Sequence, residues 1–171
     1  MADIKSPLPT AATEPVFLRE EEVRQGIELL FFAYRDFTAE PDAILEQYDF
    51  GRAHHRVVHF VGRHPQMTVG ELLVILRITK QSLNRVLGQL VRQGFIIQHR
   101  GAQDRRQRLL ELTDRGRELE RRLSEPQRIR VAAAYRKAGP QAVEGFRKVL
   151  LGVIAGDEDR RRFDRRRSAR R

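Results

Sequence analysis

Between Glu71 and Asp104 the chain carries no acidic residue, yet it holds Arg77, Lys80, Arg85, Arg92 and Arg100. Charge of one sign over that length restricts what residues 68–113 can build, because their polar face must meet water or an anion. Thr68 is a good N-cap, and Val69, Leu72, Leu73 and Leu76 follow it at helical spacing. Arg77 and Ile78 make a turn, after which Thr79 caps a second helix that closes at Gly94. Leu83, Val86, Leu87, Leu90 and Val91 give this second helix one apolar stripe for a core. Its opposite face carries Gln81, Arg85, Gly88 and Arg92, flanked by Lys80, Ser82, Asn84 and Gln89. Residues 95–100 and 108–112 are strand-like, and the polar connection 101–107 is too charged to bury. Helix, turn, helix, strand, loop and strand in that order predict a mainly α fold with a small β-wing, a winged helix-turn-helix.

A helix bearing Gln, Ser, Asn and Arg without a carboxylate suits a major groove lined by phosphates. Arg can bind guanine bidentately, Asn and Gln can read adenine, and Ser is tolerant. The pattern assigns Lys80, Gln81, Ser82, Asn84, Arg85 and Gln89 to the groove, with Arg85 and Gln81 first for base edges. Thr79 would cap the helix and touch phosphate, since free N–H groups at a helix start take an anionic oxygen. Arg106, with Arg105 as its alternate, would enter the minor groove from the loop tip. Asp104 would orient an arginine through a charge-assisted bond. The plainer alternative for the helix alone is a solvated face in a small helical domain; the arginine-tipped hairpin weighs against it.

These residues resemble the MarR family of dimeric winged-helix regulators. The resemblance rests on the helix pair, the Q-S-L-N-R run ending at Arg85, the D-R-R of Asp104 to Arg106, and L-x-L-T-x-x-G from Leu110 to Gly116. It covers roughly residues 17–154. The strings F-F-A-Y-R-D-F-T, G-R-A-H-H-R and I-T-K-Q-S-L-N-R-V-L are most similar to the PetP-type branch. The resemblance implies a homodimer of helical build that binds double-stranded DNA, with small anionic or aromatic effectors held between the first helices and the DNA lobe. Tyr34, His54 and Arg56 would line such a cleft. The family's turn before the recognition helix often has glycine where this chain has Arg77. A left-handed backbone there would cost on the order of 1 kcal/mol, which a phosphate contact by Arg77 would offset.

The rest of the chain is read as support for this lobe. Residues 18–37 predict a long helix striped by Val23, Ile27, Leu30, Tyr34 and Phe37 and widened by Leu29, Phe31 and Phe32, more than one neighbour covers. Glu40-Pro41 is expected to break it, with a short turn around Ala43, Ile44 and Leu45 before a helix over 52–63. After the wing, Thr113 caps another helix, with a kink expected at Pro126 and a stop at Gly139-Pro140. A last amphipathic helix carries Ala142, Val143, Phe146, Val149, Leu150, Val153 and Ile154. The apolar stripes at the two ends have little core left to cover in one subunit, so a symmetric dimer interface is their simplest use. Two recognition helices about one DNA turn apart would then read a pseudo-palindrome.

The expected organisation is an arm over residues 1–15, dimerisation helices over 16–50, the DNA-binding lobe over 51–113, dimerisation helices over 114–156, and a disordered basic tail over 157–171. Charge follows this division. Residues 1–50 hold 4 basic against 11 acidic groups, residues 51–112 hold 11 against 3, and residues 159–171 hold 8 against 2. A basic middle beside an acidic first third is the footprint of a nucleic-acid binder. The tail would add sequence-independent phosphate attraction or be a solvated extension.

Other chemistries find little support. There are no cysteines, which excludes disulfides and thiolate metal sites. No apolar run approaches the ~20 residues of a membrane span, and no secretory signal opens the chain, so no membrane contact and a cytoplasmic location are expected. His55 and His59 stand one turn apart and can present two imidazoles to a metal or haem. Such a site needs three or four ligands, the rest from Asp42, Glu46 or Asp49, so packing and hydrogen bonding are the favoured roles and no cofactor is expected. No phosphate loop, nucleophile elbow or paired-carboxylate cleft points to an enzyme. A protein-interaction module with a winged fold, or a non-specific nucleic-acid binder using the arginine tail, are the alternatives; the aromatic platform usual for single strands is missing.

Overall fold

The computed structural model describes residues 15–101, 104 and 106–168, with side chains to Phe163. A 3-10 turn, Val16–Leu18, precedes α1 (Glu20–Glu46) and α2 (Arg52–Arg63). Then come β1 (Met67–Thr68), α3 (Val69–Leu76), α4 (Lys80–Arg92), β2 (Ile96–Arg100), β3 (Arg108–Leu112), α5 (Asp114–Val153) and α6 (Asp157–Ser168). The chain divides into two compact units, residues 1–36 and 37–171, with the boundary inside α1.

In the second unit the core forms where α2, α3, α4 and the sheet converge. Val57, Val58 and Val61 of α2, Leu72 of α3, Leu83 and Leu90 of α4, and Leu110 of β3 are each 0% exposed. The sheet is antiparallel with strand order β1-β3-β2. The two-residue β1 pairs Met67 with Leu110 and Thr68 with Leu109, while β2 and β3 form the wing with Ile96 opposite Leu112 and Arg100 opposite Arg108. That register turns Ile96, Leu110 and Leu112 inward and leaves Ile97 and His99 exposed.

Three threonines start helices as expected: Thr68, Thr79 and Thr113 each accept a backbone N–H three residues on. At Thr68 this is a full capping box, because Glu71 accepts from the Thr68 N–H at 2.7 Å. Those bonds hold the Glu71 carboxyl below its usual pKa.

Gly116 explains the spacing of the L-x-L-T-x-x-G run. A Cβ there would sit 2.0 Å from the Phe95 carbonyl oxygen, so α5 passes the backbone just before β2 too closely for any other side chain. Thr113 closes the same joint, donating its hydroxyl to the Gly94 carbonyl at 2.6 Å and its N–H to Phe95 O at 3.1 Å.

Three expectations are corrected. Helix α1 does not stop at Glu40-Pro41 but runs through Pro41 to Glu46. Pro41 has no N–H for the carbonyl of Phe37, four residues back, and the side-chain amide of Gln127 donates to that carbonyl at 3.2 Å instead. Nor does the chain restart at Pro126: α5 keeps helical dihedrals through it, with fully buried Leu123 and the tied Gln127 in the turns on both sides. The break in α5 falls at Gly139, φ 81° and ψ 169°, where the Gly139-Pro140 pair was expected to place one. The tail, expected to lack structure, is helical over Asp157–Ser168. Its first turn is acidic, matching the helix dipole, and Arg160 and Arg162 pair with acids three or four residues back.

Candidate nucleic-acid interface

Burial of Leu83, Val86, Leu87 and Leu90 fixes the rotation of α4, and so decides which of its polar side chains stay in water. Lys80, Gln81, Asn84 and Arg85 are exposed, and Ser82 is half-buried. Thr79 is occupied with the helix start: its oxygen accepts the Ser82 N–H at 3.1 Å, and its hydroxyl lies 2.9 Å from the Ser82 hydroxyl.

Gln89 departs from the expected groove-facing role. Its Oε1 lies 2.7 Å from His54 Nε2, drawing the amide toward α2. His54 is 8% exposed, stacks on Phe50 at 4.5 Å, and accepts the Gly51 N–H on Nδ1 at 3.1 Å. With Nδ1 an acceptor, Nε2 carries the proton and donates to Gln89. His54 is therefore a strut between the start of α2 and the recognition helix, and not the wall of an open cleft. Arg56 is exposed, and Tyr34, in the first unit, is 55% exposed.

Burial holds the His54 pKa below its ordinary value, and the same cause lowers His55. The unfolded chain then binds protons that the folded chain refuses. Stability from this source is complete above the ordinary histidine pKa of about 6.5 and is lost as pH falls below it. The melting temperature should drop between pH 7.5 and 5.5, and His54→Gln should flatten part of that slope. Parallel profiles for the two proteins would remove His54 from this account.

Arg77 ends α3 in the left-handed region, φ 50° and ψ 41°, the conformation at which a non-glycine residue is strained. Its guanidinium does not stand free, because Nη2 pairs with Asp159 of α6 at 3.0 Å.

At the wing, Asp104 holds Arg106 by a backbone bond, Oδ1 accepting the Arg106 N–H at 2.9 Å. This tightens the tip as an Asx turn and is not the expected link to a guanidinium. Gly101 N–H donates to Gln107 O and Gln107 N–H to Asp104 O, closing the base of the loop. Arg106 is exposed beside it, and Arg105 lies outside the described residues.

Between α4 and the wing runs an open trough of about 790 Å³. Lys80, Asn84 and Arg92 line one side, and Arg106 and Arg108 the other. Arg92 and Arg108 were not singled out as site residues from the sequence, nor was Arg100. The strand register would have found two of them, because it sets Arg100 directly across from Arg108. Like charges so paired repel unless an anion lies between or beside them.

His59 Nδ1 is 3.5 Å from Glu120, and Asp42 accepts both Nε and Nη2 of Arg52. Among the described residues no group of three or more His, Asp or Glu is placed to hold a metal ion. No described helix is long and apolar enough to cross a membrane.

Comparison with known proteins gives this geometry its relatives. The family model described as MarR family matches residues 48–107. The HTH-type transcriptional regulator PetP of Rhodobacter capsulatus is 56% identical over 139 residues, covering 81% of this chain and 84% of that protein. Among solved structures, Streptococcus pneumoniae FabT in complex with DNA superposes with a TM-score of 0.67 at 21% identity, over 77% of this chain and 94% of that one. The crystal structure of MarR gives 0.59 at 20% identity, over 91% and 98%. At such identities these two structures speak for the fold.

Proposed function

This chain belongs to the MarR family, and from that premise we propose that it is a transcriptional regulator that binds double-stranded DNA as a homodimer on a pseudo-palindromic operator. The observation that carries the reading is the exposed, carboxylate-free face of α4, with Lys80, Gln81, Asn84 and Arg85 beside an arginine-lined trough. That face has the width and chemistry of a major-groove reader, and the trough suits the phosphodiester strand between groove and wing. Arg85 and Gln81 read base edges; Lys80, Arg92 and Arg108 hold phosphates, with Thr79 fixing the helix start beside them; Arg106 enters the minor groove. The relative PetP is named as a transcriptional regulator, and the FabT structure is a DNA complex, which supports the same conclusion.

Dimerisation is supported by apolar surface that one chain leaves in water. Phe31 is 71% exposed and Ile27 49% on α1, and Val149 and Val153 are 64% and 63% exposed on α5. A small-molecule effector would act on the spacing of the two α4 helices, which sets whether both reach the same face of the duplex.

Binding to a native promoter duplex and to a random duplex, each at two salt concentrations, tests the reading. Affinity should fall steeply with salt for both. Arg85→Ala should lose about 1–3 kcal/mol of discrimination at one base pair per half-site. Salt-insensitive binding, or equal loss on both duplexes for Arg85→Ala, would overturn it.

A further inference from the structure

Helix α6 is docked, and its docking point is the turn that enters the recognition helix. Three contacts fix it. Asp159 Oδ2 meets Arg77 Nη2 at 3.0 Å. The Arg77 guanidinium lies over Gly156, where a Cβ would come within 2.3 Å of Nη2. Arg160 Nε donates to the Ile154 carbonyl at 2.6 Å, locking the connection between α5 and α6. Further along, Phe163 walls an apolar cavity with Tyr135, Phe146 and Leu150.

The docked helix is strongly basic. From Asp157 to the C-terminus the sequence has eight arginines against four acids, and three of the acids are its first three residues. Intrahelical pairs engage Asp157, Glu158 and Asp159, and by sequence the stretch after Phe163 adds five arginines and one aspartate. Arg161 is exposed, and helical spacing puts it about 200° around the axis from Asp159, away from the dock. A cationic helix moored at the α3–α4 turn, itself beside the groove-reading face, needs an anionic partner of extended form.

From these contacts we propose that α6 is a third DNA-binding element, moored by Arg77 and Asp159, that holds backbone phosphates flanking the base pairs read by α4. The proposal rests on the reading of the chain as a duplex-DNA binder. It also reassigns Arg77, whose part is to position α6 and not to bind phosphate itself. Strain at Arg77 is then the cost of placing a guanidinium where the tail can find it.

The test uses the full-length protein and four variants: R77A, D159N, the double R77A/D159N, and R161Q/R165Q/R166Q/R167Q. Hydroxyl-radical footprints and the slope of log affinity against log salt are the readouts. The four-glutamine variant should lower the slope by up to about 7, since the two subunits together lose eight arginines and each lost phosphate contact removes roughly 0.9. It should also erase protection at both outer edges while leaving the centre protected. D159N should erase the same edges although it removes no cation, and R77A/D159N should do no more than either single change. An unchanged slope and footprint in the four-glutamine variant would overturn the proposal. So would a lowered slope with D159N keeping wild-type edges, which would mean a loose cationic tail, or additive effects of R77A and D159N, which would give Arg77 its own phosphate. Absence of salt-dependent binding in the unmodified protein would instead defeat the regulator reading, and α6 with it.

Discussion

Gly116→Ala should cost about 3 kcal/mol or more of folding stability, the largest single-residue effect expected from the winged lobe. The new methyl would lie 2.0 Å from the Phe95 carbonyl oxygen and 3.2 Å from Leu112 Cβ. Neither neighbour can step aside, because Phe95 is 1% and Leu112 4% exposed, and both belong to the joint between wing and core. Relief requires α5 to move off the Gly94–Phe95 backbone, which would break the bonds from Thr113 to both residues. Against a total of roughly 5–15 kcal/mol for a domain, such a loss is severe. Gly145→Ala is the matched control, since its added methyl meets nothing within 4 Å on the same long helix. It should be neutral or stabilising by up to about 1 kcal/mol. Urea denaturation of the two variants checks both; a Gly116→Ala midpoint within error of wild type would show that the close approach is mistaken.

Phe31→Asp should separate the proposed dimer and weaken operator binding by about 10²–10⁴-fold. That range is the usual advantage of joining two binding modules that each contact one half-site. Phe31 is 71% exposed, next to Phe32 at 54% and near Ile27 at 49%, so the charge would enter an interface and no core of the single chain. The winged lobe belongs to the other compact unit and should keep its far-ultraviolet circular dichroism. Sedimentation gives the mass and fluorescence anisotropy the affinity. A variant that remains dimeric with wild-type affinity would assign this surface to something other than the subunit interface.

What could be read from the sequence was what depends on near neighbours. The caps at Thr68, Thr79 and Thr113, the wing strand Arg108–Leu112, and the exposed face of α4 all follow from spacings of a few residues. Arg77 was legible as a strained turn residue for the same reason, and its φ of 50° agrees. Distant partners account for the misses. Pro41 reads as a break until Gln127, far along the chain, supplies the hydrogen that Pro41 lacks. The strand β1 is only two residues long and exists because β3 is there to pair with it. The tail reads as self-repelling when charges are counted, but its acids and arginines are ordered so that they pair at helical spacing. Gln89 reads as groove-facing from its helical angle, and only the folded chain brings buried His54 within 2.7 Å of it. Its place in the site therefore changes from reader to brace.

That brace has a consequence for what an operator of this protein should look like. With Gln89 turned away, the side chains free to inspect bases lie in the first six positions of α4, a rise of about 9 Å. At 3.4 Å per base pair that covers roughly three pairs in each half-site. Aligned binding sites should therefore show two short invariant triplets of high information content, set in flanks whose letters vary while their width and bendability do not.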